Sequence, residues 1–172
     1  ETDDPETRIS NALGEITEIV KQDLLEILKK VEPEKFEHIV VDLMEAMNYG
    51  VGQTTRYVRD GGIDGIVDED ELGLSRIYLQ AKRYAKQEVG EVEMRDFIGA
   101  LAASPVKKGV FVTTNFFSKT ARNSAEKSSN NNLTIRLVDG KELVKLMFKY
   151  NLGVRVKKGY EVKEIDNSFF EE

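Results

Sequence analysis

The chain has no cysteine and a single histidine, His38, among its 172 residues. Disulfides and thiolate zinc sites are therefore excluded, and the lone imidazole argues against a histidine-based metal centre or catalytic triad. Any metal held here should be hard and oxygen-bound. No apolar run approaches the roughly 20 residues needed to cross a bilayer, and the N-terminal ETDDPE has neither the basic nor the apolar region of a signal peptide. The expectation is a soluble, cytoplasmic protein with no membrane partner. An excess of positive charge is missing too. The net charge of −6 argues against non-specific coating of nucleic acid, which relies on dense lysine and arginine. Basic residues instead form local groups: Lys82, Arg83 and Lys86; Lys107 and Lys108; Lys119 and Arg122; Arg155, Lys157 and Lys158. No internal repeat or Pro/Gly/Ser linker breaks the chain, whose length suits one domain of roughly 100–200 residues. It begins with Glu1 and not methionine, so a piece of a longer or processed protein is expected.

Apolar residues at Ile9, Leu13, Ile16, Val20, Leu24, Ile27 and Val31 recur in steps of three and four, predicting one long amphipathic helix. Residues 1–32 read as a leading helix, either docked on the domain or connecting to a module before it, and residues 33–172 as the main domain. Pro33 restarts the helix at a tolerated first-turn position, and FEHIVVDLMEAMNYG carries it to a stop at Gly50. Glu37 is the acid nearest the centre of that apolar stripe. After the polar loop VGQTTRYVRDGG, where Asp60 reads as a turn residue, residues 63–67 and 76–82 form an antiparallel hairpin around DEDELGLS. The acids of that turn lack the glycine and final glutamate of a calcium loop and read as a solvated tip.

EVEMRDFIGALAAS is a helix with Val92, Phe97, Ile98 and Leu101 inward and Gly99 open to close packing on the sheet. GVFVTT is a fully buried strand. Ser118 N-caps a helix to about Lys127, LTIRLV is another strand, and DGKELVKLMFKY is a turn and helix. The tail VRVKKGYEVKEI alternates like a hairpin around Gly159. The fold class is α/β, a central mixed sheet flanked by helices and preceded by the long amphipathic one.

Along the strand 76–82, Ile77, Leu79 and Ala81 share one face and Tyr78, Gln80 and Lys82 the other, with Gln80 and Lys82 about 6.6 Å apart. Any register that pairs Asp64 with Gln80 or Lys82 gathers a carboxylate, an amide and an ammonium at one spot. Magnesium takes one or two carboxylates plus phosphate oxygens and keeps several waters. Asp64 supplies the charge, and the Gln80 side chain or the Ala81 carbonyl completes the protein's share. Lys82 can orient an attacking water and offset charge on phosphorus. Glu37 reaches the same spot only if its helix packs across the hairpin.

GGIDGI and YLQAKRY, with FEHIVVDLMEAMNYG before them and DFIGAL and GVFVTTNFFSKTA after, resemble the catalytic domain of Mrr-type restriction endonucleases. These are a branch of the PD-(D/E)XK nucleases in which glutamine replaces the second acid. The resemblance runs from about Phe36 to Met147, with the motifs in the family's order. It implies a restriction-endonuclease-like core in which Asp64, Gln80 and Lys82 form the catalytic set and Glu37 is the acid of the first core helix. It further implies magnesium (or manganese) as cofactor and double-stranded DNA, often methylated, as substrate, with a separate DNA-recognition module upstream. The family often has glycine where this chain has Asn48.

Arg83 and Lys86, beside Lys82, and Ser118 with the amides after it are the candidate DNA contacts, of a kind that positions DNA without reading sequence. Tyr84, Thr113 and Thr114 also follow strand ends, where function gathers. Two nicks in a duplex need two sites or two visits, which is compatible with a homodimer. The alternatives are a structure-selective nuclease of the Holliday-junction type and a non-catalytic DNA-binding or scaffold module on a nuclease fold.

Overall fold

The computed structural model describes residues 4–49, 65–70 and 72–171. The loop glycines, Asp60, Asp64 and Glu71 lie outside the described residues. The first helix, α1 (Pro5–Leu28), starts where the Asp4 carboxylate accepts the amides of Glu6 and Thr7 at 2.9 and 3.1 Å, with proline in its first turn. Helix α2 (Pro33–Ala46) follows, then strands β1 (Gly65–Asp68) and β2 (Arg76–Lys82), helix α3 (Glu91–Ala103), strand β3 (Lys108–Thr113), helix α4 (Lys119–Lys127), strand β4 (Thr134–Val138) and helix α5 (Gly140–Lys149).

The four strands form one sheet in the order β1-β2-β3-β4. β1 runs antiparallel to β2, with Gly65 opposite Leu79 and Val67 opposite Ile77, whereas β2, β3 and β4 are mutually parallel. Parallel strands must be joined by crossovers, and these put helices on both faces. On one face α1, α2 and α5 bury Leu28, Phe36, Val40, Leu143 and Met147 against Ala81, Val112 and Val138. Val41 and Met44 of α2 extend this layer over Val67, Ile77 and Leu79. The other face carries Tyr78 and Phe111 under α3 and α4. There Tyr78, Phe97, Phe111 and Phe117 form a chain of rings with successive centroids 5.7, 5.0 and 5.4 Å apart, each burial stabilising by roughly 1.5–3 kcal/mol.

Several expectations need correction. Only the face of Ile77, Leu79 and Ala81 is expected to be buried from the apolar pattern, yet Tyr78 and Gln80 on the other face are buried too. In α3 the inward residues are Met94, Phe97 and Leu101, while Val92 is exposed and Ile98 half-buried. Close packing on the sheet occurs at Gly109 and not at Gly99: a Cβ at Gly109 would lie 2.7 Å from Phe97 Cζ, but one at Gly99 would meet nothing within 4 Å. The tail forms no hairpin, because residues 154–166 carry no strand and Val156, Tyr160, Val162 and Ile165 stay exposed. Alternation alone selects no partner, and a two-stranded ribbon without a surface beneath it is marginal. The apolar stripe of α1 is divided: Leu24 and Leu28 are buried, whereas Ile9, Leu13, Ile16 and Ile27 are exposed.

Helix α2 ends earlier than the Gly50 stop. Asn48 takes a left-handed conformation with φ 66°, its amide donates to Glu45 O at 2.9 Å, and the Tyr49 amide donates to Met44 O at 2.9 Å. This is a Schellman closure with asparagine at the position glycine prefers. Asn48→Gly is expected to raise stability by about 0.5 kcal/mol, read as a small upward shift of the thermal melting midpoint; a downward shift would contradict the assignment.

Candidate functional site

Gln80 and Lys82 lie on one face of β2, two residues apart. Gln80 is 5% exposed, whereas Lys82 is half-buried at the strand's end. Their cross-strand neighbours on β3 are Phe111 and Thr113. The hairpin that would bring Asp64 to them is antiparallel, as the proposed grouping requires; Asp64 itself lies outside the described residues. Helix α2 does pack across the hairpin, but against Val67, Ile77 and Leu79, and strand alternation sends Gln80 and Lys82 to the opposite face. Glu37, half-buried beside the fully buried Phe36, therefore starts on the far side of the sheet from the Gln80 and Lys82 side chains. Among the described residues no three His, Asp or Glu side chains gather as a metal cluster.

Beyond Lys82 the chain is held by two buried threonines. Thr113 Oγ1 donates to Lys82 O at 2.9 Å, and Thr114 N donates to the same oxygen at 3.3 Å. Tyr84 N donates to Thr114 Oγ1 at 2.8 Å, and that hydroxyl donates to Tyr84 O at 2.8 Å. Burial raises the Tyr84 phenol above its ordinary pKa, and the nearby Glu93 carboxylate adds to the effect.

The candidate DNA contacts differ in how far they are already engaged. The Arg83 guanidinium donates to Lys29 O at 3.1 Å, closing the carboxyl end of α1. Ser118 caps α4 through the Ala121 amide at 3.1 Å, as its position before that helix suggests. Lys86 is exposed. Thr113 and Thr114 stand where the sequence places them, at the end of the apolar run GVFV; what the sequence does not show is that both hydroxyls are buried and bonded to the backbone beyond Lys82.

The acidic tip opposite this end is organised and not merely solvated. Asp70 accepts the amides of Leu74, Ser75 and Leu72, and Glu69 is bonded to Lys108 and Ser75. The Leu74 amide, with those of Ser75 and Leu72, holds the Asp70 carboxyl below its ordinary range, and Lys108 followed by Ser75 does so for Glu69. Depressed carboxylates favour the folded tip above their unfolded pKa of about 4, and that contribution disappears as pH falls through the lowered values. Hydrogen exchange of the Leu74 and Ser75 amides should therefore accelerate relative to core amides as pH is lowered from about 4; unchanged relative protection on acidification would contradict it.

Residues 28–147, from the end of α1 into α5, match the restriction endonuclease family of the Mrr catalytic type. The chain belongs to this family. Among relatives of the Mrr-type domain, the type IV methyl-directed restriction enzyme EcoKMrr of Escherichia coli (strain K12) is 39% identical over 175 residues, covering 97% of this chain and 54% of EcoKMrr. The chain thus spans about half the length of that relative. The solved structure of restriction endonuclease FokI bound to DNA aligns with 77% of this chain and 27% of its own, at 15% identity and a TM-score of 0.47. The Mrr-type match begins at the buried Leu28 and takes in α2, the hairpin and both parallel crossovers. No helix among the described residues is long and apolar enough to cross a membrane.

Proposed function

We propose that this domain hydrolyses phosphodiester bonds of double-stranded DNA with the help of magnesium or manganese, as the cutting part of a restriction enzyme directed at foreign DNA, methylated DNA included. The observation that carries the reading is the antiparallel hairpin of an Mrr-type domain with Gln80 and Lys82 on one face of its second strand. Asp64 immediately precedes Gly65, which pairs with Leu79, the neighbour of Gln80.

The donor set suits a hard cation: a carboxylate from Asp64, the Gln80 amide oxygen or the Ala81 carbonyl, and no histidine or thiolate. That is the sparse protein share magnesium accepts when DNA phosphate supplies the rest. When bound, the metal would lower the cost of charge on the phosphoryl oxygens. Lys82 orients the attacking water and, as a compact cation on a flexible stem, faces the negative charge that grows on phosphorus. Glu37 lies on the opposite face of the sheet from Gln80 and Lys82, so it supports a water or the metal only by reaching past the strand ends. Arg83, Lys86 and the α4 start at Ser118 steady the phosphate backbone. Residues 1–32 lead into the cutting domain, a DNA-recognition module precedes them in the whole protein, and a homodimer supplies two sites for a duplex.

The test is incubation of the chain with supercoiled plasmid, the same plasmid methylated, and a branched junction, each with magnesium and with excess EDTA. Cleavage of duplex that EDTA abolishes is expected, and the likeness to the methyl-directed EcoKMrr supports faster cutting of the methylated plasmid. Cleavage unchanged by EDTA would overturn the metal chemistry. Preference for the junction would favour a structure-selective nuclease, and binding without cutting a scaffold.

A further inference from the structure

We propose that Thr113 and Thr114 are positioning residues for Lys82; the inference rests on the nuclease reading above and assigns these two hydroxyls a share in its rate. The regular β2–β3 ladder ends at the pair Lys82 and Thr113. A strand end frays unless its backbone groups find partners, and lysine adds a long flexible stem to whatever motion its backbone has. Here the hydroxyls continue the ladder. Thr113 Oγ1 donates to Lys82 O and accepts the Asn115 amide at 3.2 Å. Thr114 Oγ1 takes both polar groups of the Tyr84 backbone, one as acceptor and one as donor. Residues 82 and 84 are thus pinned on both sides of Arg83, whose side chain is tied to α1.

Both threonines are 0% exposed. A buried β-branched position, at the last residue of β3 (Thr113) or just after it (Thr114), could be filled by valine, which has the same shape without a polar group to satisfy. Two hydroxyls, each bonded twice to backbone, indicate that rigidity at this end of β2 is the property served. A shift of about 1 Å in a reacting group is enough to lower a rate about 100-fold, so the pinning bears directly on where the ammonium sits.

Thr113→Val, Thr114→Val and Thr114→Ser in the full chain test this. The measurements are single-turnover plasmid cleavage at saturating DNA with magnesium, duplex affinity, thermal melting and exchange of the Tyr84 amide. The expected result is cleavage slowed about 10- to 100-fold in the valine variants, with affinity unchanged in the folded protein, Tyr84 exchange faster in Thr114→Val, and most of the rate restored by serine. Valine variants that are folded and cut at the wild-type rate would overturn the proposal. So would affinity falling in step with rate, or serine failing where valine fails. Should Thr114→Val not fold, Thr113→Val and Thr114→Ser make the same comparison. A wild-type chain that never cuts, or a Lys82→Ala chain that cuts normally, sinks the nuclease reading itself and is thereby distinguished.

Discussion

Replacing Lys82 by alanine should slow DNA cleavage by about 100- to 1000-fold, or about 3–4 kcal/mol of transition-state stabilisation, while leaving the fold and duplex binding in place. The separation follows from where the residue sits. Its backbone carbonyl is held by Thr113 and Thr114 whatever the side chain, and its side chain is half-buried at the end of β2 and not in either core layer. Truncation therefore opens no cavity of the kind that costs several kcal/mol. Lys82→Arg should not restore the rate, because a planar fork places its charge differently from a compact ammonium. Plasmid cleavage beside a thermal melt checks both halves. Near-normal cutting by Lys82→Ala would remove this residue from the chemistry.

The largest loss of stability should come from Gly140→Ala. Gly140 is the first residue of α5, and its amide donates to Asn115 O at 2.8 Å, drawing the helix against the loop after β3. A Cβ there would stand 2.5 Å from Thr114 O, 2.9 Å from its carbonyl carbon and 3.0 Å from Leu25 Cδ1. Backbone cannot swing aside as a side-chain tip does, so α5 would have to lift from the sheet and from α1. A cost of about 2–4 kcal/mol is expected, lowering the melting midpoint by roughly 5–15 °C. Gly99→Ala is the contrast: in mid-α3 with nothing within 4 Å of the added methyl, it should stabilise by about 0.5–1 kcal/mol. Equal effects at the two positions would contradict the packing described.

Local rules carried further than one-sided ones. The bounds of β2 and α4 follow from alternation and from the Ser118 cap, both written in a few neighbouring residues. Gly99 is open and Gly109 is the close approach; a glycine shows that close approach is allowed, never which element approaches. Val92 falls outside the stripe through which α3 packs, which Met94, Phe97 and Leu101 form with Ile98 at its edge. The tail has the alternation of a hairpin but neither a partner strand nor a surface beneath it. At the candidate site, the common face of Gln80 and Lys82 was legible from a period of two. The layer on which α2 lies was not, since which face a helix covers depends on crossover connections far along the chain. The two threonine clamps depend on β3 lying beside β2 in parallel, a contact thirty-one residues apart in sequence for Lys82 and Thr113.

On the proposed reading, Asp64, with Gln80 and Ala81, holds a hard cation beside Lys82. Titrating manganese into the chain bound to duplex DNA, followed by the loss of its free-ion paramagnetic resonance signal, tests this in wild type and in Asp64→Asn. A bound manganese population in wild type, lost in Asp64→Asn while that chain still binds DNA, is expected. Equal manganese binding by the two chains would contradict it.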